Sequence, residues 1–389
     1  MQTAEPKHIF YIPRWYPSTA DPMLGLFVRK HALAATEAGF RVTVVYAAPG
    51  LTGKSRELFS TDIQSAGLLT EVRVSYRKAE GLSGMARQLI AWNLAVKTAV
   101  QQQGRPDLIH AHILTRVALL SCWLAYKWKV PCVITEHWSR YYPENMQYKG
   151  WLRRFLTERV VKRAQAVTVV SNRLANAMKA QGLQFATKLL PNVVDTAVFK
   201  PAEKYKGPFR IVSITCFEEK SKNLKMLVDA VAHIATHRHD IELVMIGDGN
   251  DYDLIKKYVA GKHMRYKTVR FTGVLQDHEL AEELQQASCL ALTSNYETFG
   301  IVAFEALACG IPVVATDVAD LAVFINEENG KIVKTGDAEI LAVELENVLN
   351  RLPEYKPSDM HKRVEAELSS RAVAEKLKEL YISAIGNIN

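Results

Sequence analysis

Asn295-Tyr-Glu-Thr-Phe-Gly-Ile-Val-Ala-Phe-Glu-Ala-Leu-Ala-Cys-Gly-Ile-Pro-Val-Val-Ala315 is the stretch on which the reading of the fold turns. Just before it, the apolar run Cys289-Leu-Ala-Leu-Thr293 ends in polar Ser294 and Asn295, as a buried strand ends in a loop. Phe299 to Cys309 reads as a helix, closed by Gly310, a turn and Pro312, and Val313-Val-Ala-Thr316 begins another strand. Glu297 then falls in the loop at the carboxyl end of the first strand, where open α/β sheets bind ligands. Glu305, separated from it by seven residues, projects from the early turns of the helix. Gly300 allows a ligand to approach the backbone, and free N–H groups at a helix start suit a phosphate. On geometry alone, an ordinary strand-loop-helix with two solvated glutamates fits equally well.

The same alternation runs outward in both directions. His8-Ile-Phe-Tyr-Ile12 is a short buried strand, followed by a loop from Pro13 to Leu26, a helix to Ala38, and the strand Arg41-Val-Thr-Val-Val-Tyr46. Val72–Val74, Leu108–Ala111, Cys132–Thr135 and Ala166–Val170 continue the series. A second series begins after Pro201 with Phe209–Ser213, and continues through Ile241–Ile246, Val269–Phe271, Leu290–Leu292 and Pro312–Ala315. Strands alternating with helices predict parallel sheets covered on both faces, so the fold class is α/β with two doubly wound units. Meeting near residue 200, they leave a central cleft, a common place for a ligand. A chain of 389 residues is also longer than one core usually serves.

Hydrophobic residues make up 48% and charged residues 23%, an ordinary globular composition. No apolar stretch approaches the ~18 residues needed to span a bilayer, and the first dozen residues lack a signal-peptide core. Cys122, Cys132, Cys216, Cys289 and Cys309 are scattered, odd in number and without zinc spacing, which fits reduced core thiols in a cytoplasmic protein. The net charge of +8 is unevenly spread. Residues 1–195 carry 26 Lys and Arg against 12 Asp and Glu, whereas residues 196–389 carry 23 against 29. Such asymmetry points one half toward an anionic surface or substrate. The densest stretch, Lys149 to Arg163, mixes Trp151, Leu152, Phe155, Leu156, Val160 and Val161 with Arg153, Arg154, Arg159, Lys162 and Arg163. It reads either as a basic amphipathic helix lying on anionic lipid or as a solvated helix packed on its own domain. No nucleic-acid partner is expected.

The 295–315 segment resembles the Glu-x7-Glu motif of retaining glycosyltransferases of the GT-B fold, in family 4, and the resemblance covers nearly all of the chain. It implies that Glu297 contacts the donor sugar, that Glu305 holds the nucleotide ribose, and that the amides of Thr298, Phe299, Gly300, Ile301 and Val302 meet sugar and diphosphate. Trp15 to Leu33 resembles the family's first loop and helix, with Gly25 as the glycine beside the diphosphate. Val133-Ile-Thr-Glu-His137 resembles the strand end whose histidine lies over the donor sugar, with His110 and His112 on a neighbouring strand end. Lys188 to Pro201 resembles the family's interdomain linker, in which Asn192 and Asp195 are expected to bond the backbone between domains. Lys222 takes the position of the diphosphate lysine. The arginine usual five or six residues earlier is absent, its places being Cys216 and Phe217. Leu243 to Gly249 and Arg270 to Val274 resemble the strand ends around the nucleotide base, with Gly247 and Val274 as candidates.

The resemblance implies GT-B domains at 1–200 on the acceptor side and 201–368 on the nucleotide-sugar side, with residues 369–389 crossing back as a helix. It implies a nucleotide-diphosphate sugar as donor substrate, a glycan or lipid-linked acceptor in cell-surface glycoconjugate synthesis, and no obligatory metal or other cofactor. A cytoplasmic protein, with peripheral contact to the inner face of the membrane, is the expected setting. A nucleotide-sugar epimerase and a non-catalytic glycan-assembly subunit are the alternatives.

Overall fold

The computed structural model describes residues 5–18, 21–51, 57–203, 205–262, 264 and 268–386. Thr19 and Ala20 of the first loop, and residues 387–389 of the expected last helix, lie outside them.

The first half runs β1 (His8–Pro13), α1 (Leu26–Glu37), β2 (Arg41–Leu51), β3 (Phe59–Ala66), β4 (Leu69–Arg77), α2 (Gly81–Gln103), β5 (Leu108–His112), α3 (Arg116–Trp128), β6 (Cys132–Glu136), α4 (Trp151–Arg163), β7 (Ala166–Val169), α5 (Asn172–Ala180) and β8 (Lys188–Leu189). Its strands form one sheet in the order β3-β4-β2-β1-β5-β6-β7-β8. The second half runs β9 (Phe209–Ile214), α6 (Glu219–Lys222), α7 (Leu224–Ala235), β10 (Ile241–Ile246), α8 (Tyr252–Ala260), β11 (Val269–Gly273), α9 (Asp277–Gln285), β12 (Cys289–Leu292), α10 (Ile301–Ala308), β13 (Val313–Thr316), α11 (Leu321–Phe324), β14 (Gly330–Val333), α12 (Ala338–Asn350), α13 (Pro357–Leu368) and α14 (Ser370–Gly386). Its sheet has the order β11-β10-β9-β12-β13-β14.

Both orders reverse direction once, between β1 and β5 in the first sheet and between β9 and β12 in the second. A crevice opens at such a switch point, beyond the carboxyl ends of the strands. The central strands are apolar on both faces; β1, β5 and β6 are buried at every residue. His112 of β5 and Glu136 of β6 stand at the carboxyl ends, where the loops of the crevice begin.

Some elements depart from the sequence reading. β3 pairs antiparallel with β4, from Phe59 opposite Tyr76 to Ala66 opposite Leu69, so the first sheet is not wholly parallel. Most of β3 is exposed, which removed the apolar signal of a strand. The helix expected from Phe299 to Cys309 is shorter, because Gly300 is its left-handed N-cap. Cys216 is exposed rather than in the core. α14 packs back on the first half: Tyr381 Oη is hydrogen-bonded to Tyr11 Oη at 2.5 Å and to His110 Nδ1 at 2.7 Å.

Candidate active site

The loops after β9 and β12, at the second switch point, are stitched together by bonds to main-chain carbonyls. Asn295 N donates to Ser221 O at 2.8 Å, Asn295 Nδ2 to Lys220 O at 2.9 Å, and Thr293 Oγ1 to Lys222 O at 2.9 Å. This stitching brings together two residues 75 positions apart: Lys222 Nζ donates to Glu297 Oε1, which also accepts from Ser294 Oγ at 2.9 Å. Burial pulls the pKa of Lys222 down, but Glu297, with Cys216 and Glu218, outweighs it and holds the ammonium above its ordinary value. The result is a fixed positive charge beside a fixed carboxylate at the sheet rim.

Directly after Glu297 the backbone turns into α10. The N–H groups of Thr298, Phe299, Gly300, Ile301 and Val302 donate to no described group. The last of these are the unpaired donors of a helix N-terminus, whose dipole favours an anion. Gly300 has φ 74° and sits against Leu321, a conformation that L side chains avoid. Phe299, itself buried, anchors the turn by packing on Phe304 with ring centroids 4.9 Å apart. The first half reaches across to hold it: Ser171 Oγ donates to Thr298 O at 2.7 Å. One turn into α10, Glu305 is only 6% exposed, and Lys30 Nζ of α1 lies 3.7 Å from its Oε1. Burial raises the Glu305 carboxyl to about 7, with Lys30 opposing the rise.

At the first switch point, Gly25 caps α1 in a left-handed conformation. A Cβ there would collide with the Trp15 carbonyl, so chain crossing alone accounts for the glycine. Gly247 has a similar explanation, a Cβ being blocked by the Thr215 carbonyl. Its N–H is committed to Gly273 O at 2.8 Å, which leaves a ligand only the rest of that strand end. Val274 is half exposed, just beyond β11. Phe217, at one of the places where the resemblance expects an arginine, is fully buried against Tyr252 and Phe271. Lys222 is thus the cation paired with Glu297, while Lys220 is exposed.

His137 lies at the end of β6, nearly buried, with its ring 4.4 Å from that of Phe27. It is not open to the cleft as a lone strand-end histidine would be. Its Nε2 faces His112 Nδ1 at 3.2 Å, and Asn192 stands beside its ring. Burial, then the neighbouring His31 and His110, hold its pKa well below the usual histidine value, so it is neutral. One residue nearby carried no sequence signal. Glu136, fully buried, accepts from Leu114 N, His137 N, Trp138 N and Tyr141 Oη at 2.8–3.0 Å, and so fixes the loop that carries His137. Asn192 does not bridge the domains as expected: its Oδ1 is buried without a hydrogen-bond partner. Asp195 serves a local turn, accepting from Ala197 N and Val198 N, and the bond between the halves here is Val194 N to Leu368 O at 2.9 Å.

The fold is that of known GT-B enzymes. Sucrose-phosphate synthase from Thermosynechococcus elongatus superposes with a TM-score of 0.78 at 20% identity, over 98% of this chain and 100% of that one. HepE from Anabaena, solved with UDP and glucose, gives 0.71 at 18%, over 97% and 99%. In sequence, glycogen synthase of Mycobacterium tuberculosis is 25% identical across 95% of this chain and 93% of its own length. D-inositol 3-phosphate glycosyltransferase of Pseudarthrobacter chlorophenolicus is 28% identical across 79% and 77%. Residues 25–198 match the family model Glycosyltransferase Family 4, and residues 194–364 match Glycosyl transferases group 1. With a family model on each half and the GT-B fold joining them, the chain belongs to family 4 of the glycosyltransferases.

Proposed function

We propose that this glycosyltransferase moves a sugar from a nucleotide-diphosphate donor to a glycan or lipid-linked acceptor, with retention at the anomeric carbon. The observation that carries the reading is the run of five unpaired amides, 298–302, next to the Lys222–Glu297 pair. An anion cradle and a sugar-binding carboxylate are what a nucleotide sugar asks of a cleft. The UDP held by HepE supports the same donor class.

In this reading the Glu305 carboxylate accepts the ribose hydroxyls, the amides and Lys222 hold the diphosphate, and Glu297 accepts from the sugar. Gly25 brings its loop close to the diphosphate, and the strand ends at Gly247 and Val274 border the base. As the bond from C1 to the phosphate oxygen breaks, negative charge grows on the leaving diphosphate, where Lys222 and the helix N-terminus stabilise it without a metal. The acceptor oxygen bonds to C1 on the same face and passes its proton to the departing phosphate oxygen. His137, being neutral, contributes by hydrogen bonding, its Nε2 exchanging His112 for a hydroxyl.

A lipid-linked acceptor at the inner face of the membrane fits two features of the first half. No helix among the described residues is long and apolar enough to cross a membrane. Yet Leu82, Met85 and Leu89 expose one face of α2, and Trp151, Leu152 and Phe155 the start of α4. Between these helices and α3 lies a groove of about 820 Å³ whose lining includes Arg14, Arg116 and Arg153. Apolar walls with guanidinium groups suit an amphiphile bearing a phosphate.

A thermal-shift panel of nucleotides and nucleotide sugars, followed by a hydrolysis assay with those that bind, tests the donor reading. Binding to the native state raises Tm, and slow hydrolysis without acceptor is expected from the best ligand. A panel without any shift would overturn it.

A further inference from the structure

His31 on α1, His112 at the end of β5 and His137 at the end of β6 come together behind the first switch point. Their ring centroids form a nearly equilateral triangle with sides of 5.4, 5.6 and 5.8 Å. One ring nitrogen from each lies within 4.8 Å of those of the other two. All three residues are buried, with His31 and His112 inaccessible to solvent.

The hydrogen bonding of this group is incomplete. His31 Nε2 is engaged with Pro191 O at 2.8 Å, and a carbonyl can only accept, so the proton is on Nε2 and Nδ1 keeps its lone pair. His112 Nδ1 and His137 Nε2 share a single contact at 3.2 Å. The remaining nitrogens, His31 Nδ1, His112 Nε2 and His137 Nδ1, are buried and have no hydrogen-bond partner. Buried polar atoms of native proteins are nearly always paired, so the bare lone pair of His31 Nδ1, beside the His112 Nδ1–His137 Nε2 contact, points to something that occupies the cluster.

We propose that His31, His112 and His137 form a binding site for one borderline divalent transition-metal ion of the zinc class. Imidazole is a preferred ligand for such ions, and zinc–nitrogen bonds of about 2.0–2.1 Å at a tetrahedral angle set ligand nitrogens about 3.3 Å apart. The 3.2 Å between His112 Nδ1 and His137 Nε2 matches that span without rearrangement. The Pro191 carbonyl orients His31, and the Asn192 amide beside His137 can accept from its outer Nδ1, so two of the three histidines have the outer partner that metal-bound imidazoles use. Three protein ligands leave one position for water. The site lies among elements of the first half, apart from the proposed diphosphate cradle. An ion there would tie α1 to the ends of β5 and β6 and compete with the proposed hydroxyl for His137 Nε2, so assistance by His137 belongs to the metal-free chain.

The test uses the untagged full chain, stripped of metal and dialysed against zinc or cobalt(II). One equivalent of zinc per chain is expected, with the intense visible bands of tetrahedral cobalt and no thiolate charge-transfer band. His31→Gln and His112→Gln should each weaken zinc binding about tenfold or more, whereas His233→Gln, on the exposed side of α7, should leave it unchanged. No zinc binding, a cysteine-derived band, or binding indifferent to His31→Gln and His112→Gln would overturn the site. If those variants do not fold, the zinc X-ray absorption spectrum of the wild-type chain decides alone. Three imidazole nitrogens at about 2.0 Å support the site, and fewer than three, or a sulfur shell, refute it.

Discussion

Glu305 has its carboxyl raised from 4.5 to about 7, chiefly by burial, and this sets a direction for ligand binding. Ribose hydroxyls are donors and prefer the carboxylate, so nucleoside diphosphate affinity should increase as pH rises through about 7 and level off above it. The free protein responds oppositely: because the folded pKa lies above the unfolded one, this group's contribution to stability declines as pH climbs from about 4.5 to 7. Calorimetry across that range should give a pH-dependent component that disappears in Glu305→Gln, and Glu305→Ala should lose about 1.5–3 kcal/mol of binding at pH 8. Identical pH profiles for the wild type and Glu305→Gln would remove the ribose role. The Lys222–Glu297 pair leads to a contrasting expectation. Lys222→Ala should lower kcat more than donor affinity, since the charge it stabilises grows in the transition state. Glu297→Gln should spare nucleotide binding and impair transfer. Steady-state kinetics beside nucleoside diphosphate titration separates these outcomes, and equal loss of kcat and affinity in Lys222→Ala would argue for ground-state attraction.

At the scale of elements, α5 is the bracket between the halves. Asp320, just before α11, accepts from Asn172 N at 2.6 Å, Asn172 Nδ2 at 3.1 Å and Arg173 N at 3.0 Å, capping the start of α5 from the opposite half. Arg173 adds an ion pair to Asp317 at 3.2 Å, and Ser171 reaches Thr298. Removing a cap costs about 0.5–2 kcal/mol, and here the loss falls on closure rather than on folding. Asp320→Ala should therefore weaken donor binding by about two- to thirtyfold with Tm little changed, measured by titration and calorimetry side by side. A fall in Tm with unaltered affinity would show the contact to be structural only. These brackets also mark where the sequence stopped being readable. The loop carrying Glu297 was legible because an apolar run ends abruptly in polar residues there, whereas Lys222 and His137 were legible through the family resemblance alone. Glu136 and Asp320 were not: Glu136 carries no pattern of its own at the end of an apolar strand, and Asp320 meets Asn172 across 148 positions. β3 escaped because an exposed edge strand has no buried face to impose alternation. The His31–His112–His137 triangle escaped for a topological reason, as three elements meet there only once the strand order is known.

For the whole molecule, charge and exposed apolar surface coincide. The first half holds the excess of basic residues, and the protruding side chains of α2 and α4 belong to it as well. In α4 the two sequence readings divide along the helix. Thr157, Val160 and Val161 are buried, while Trp151, Leu152 and Phe155 stand out beside the exposed Arg153 and Arg154. Leu82, Met85 and Leu89 of α2 recur at helical spacing and stand exposed on the same stripe that Trp92 and Val96 continue into the buried part of the helix. Long basic side chains near an anionic bilayer each contribute on the order of 1 kcal/mol, screened over about 10 Å at 0.1 M salt, and the apolar residues add a term that salt does not weaken. Sedimentation with liposomes should therefore find binding to anionic and not to neutral vesicles. Changing Arg153, Arg154, Lys162 and Arg163 to Ser should abolish the salt-sensitive part, and Leu82→Ser with Leu89→Ser should weaken what persists at high salt. Failure to bind either vesicle type would refute membrane docking and favour a soluble acceptor. It would leave the roles proposed for Glu297, Lys222 and Glu305 untouched, because the donor reading does not depend on where the acceptor lies.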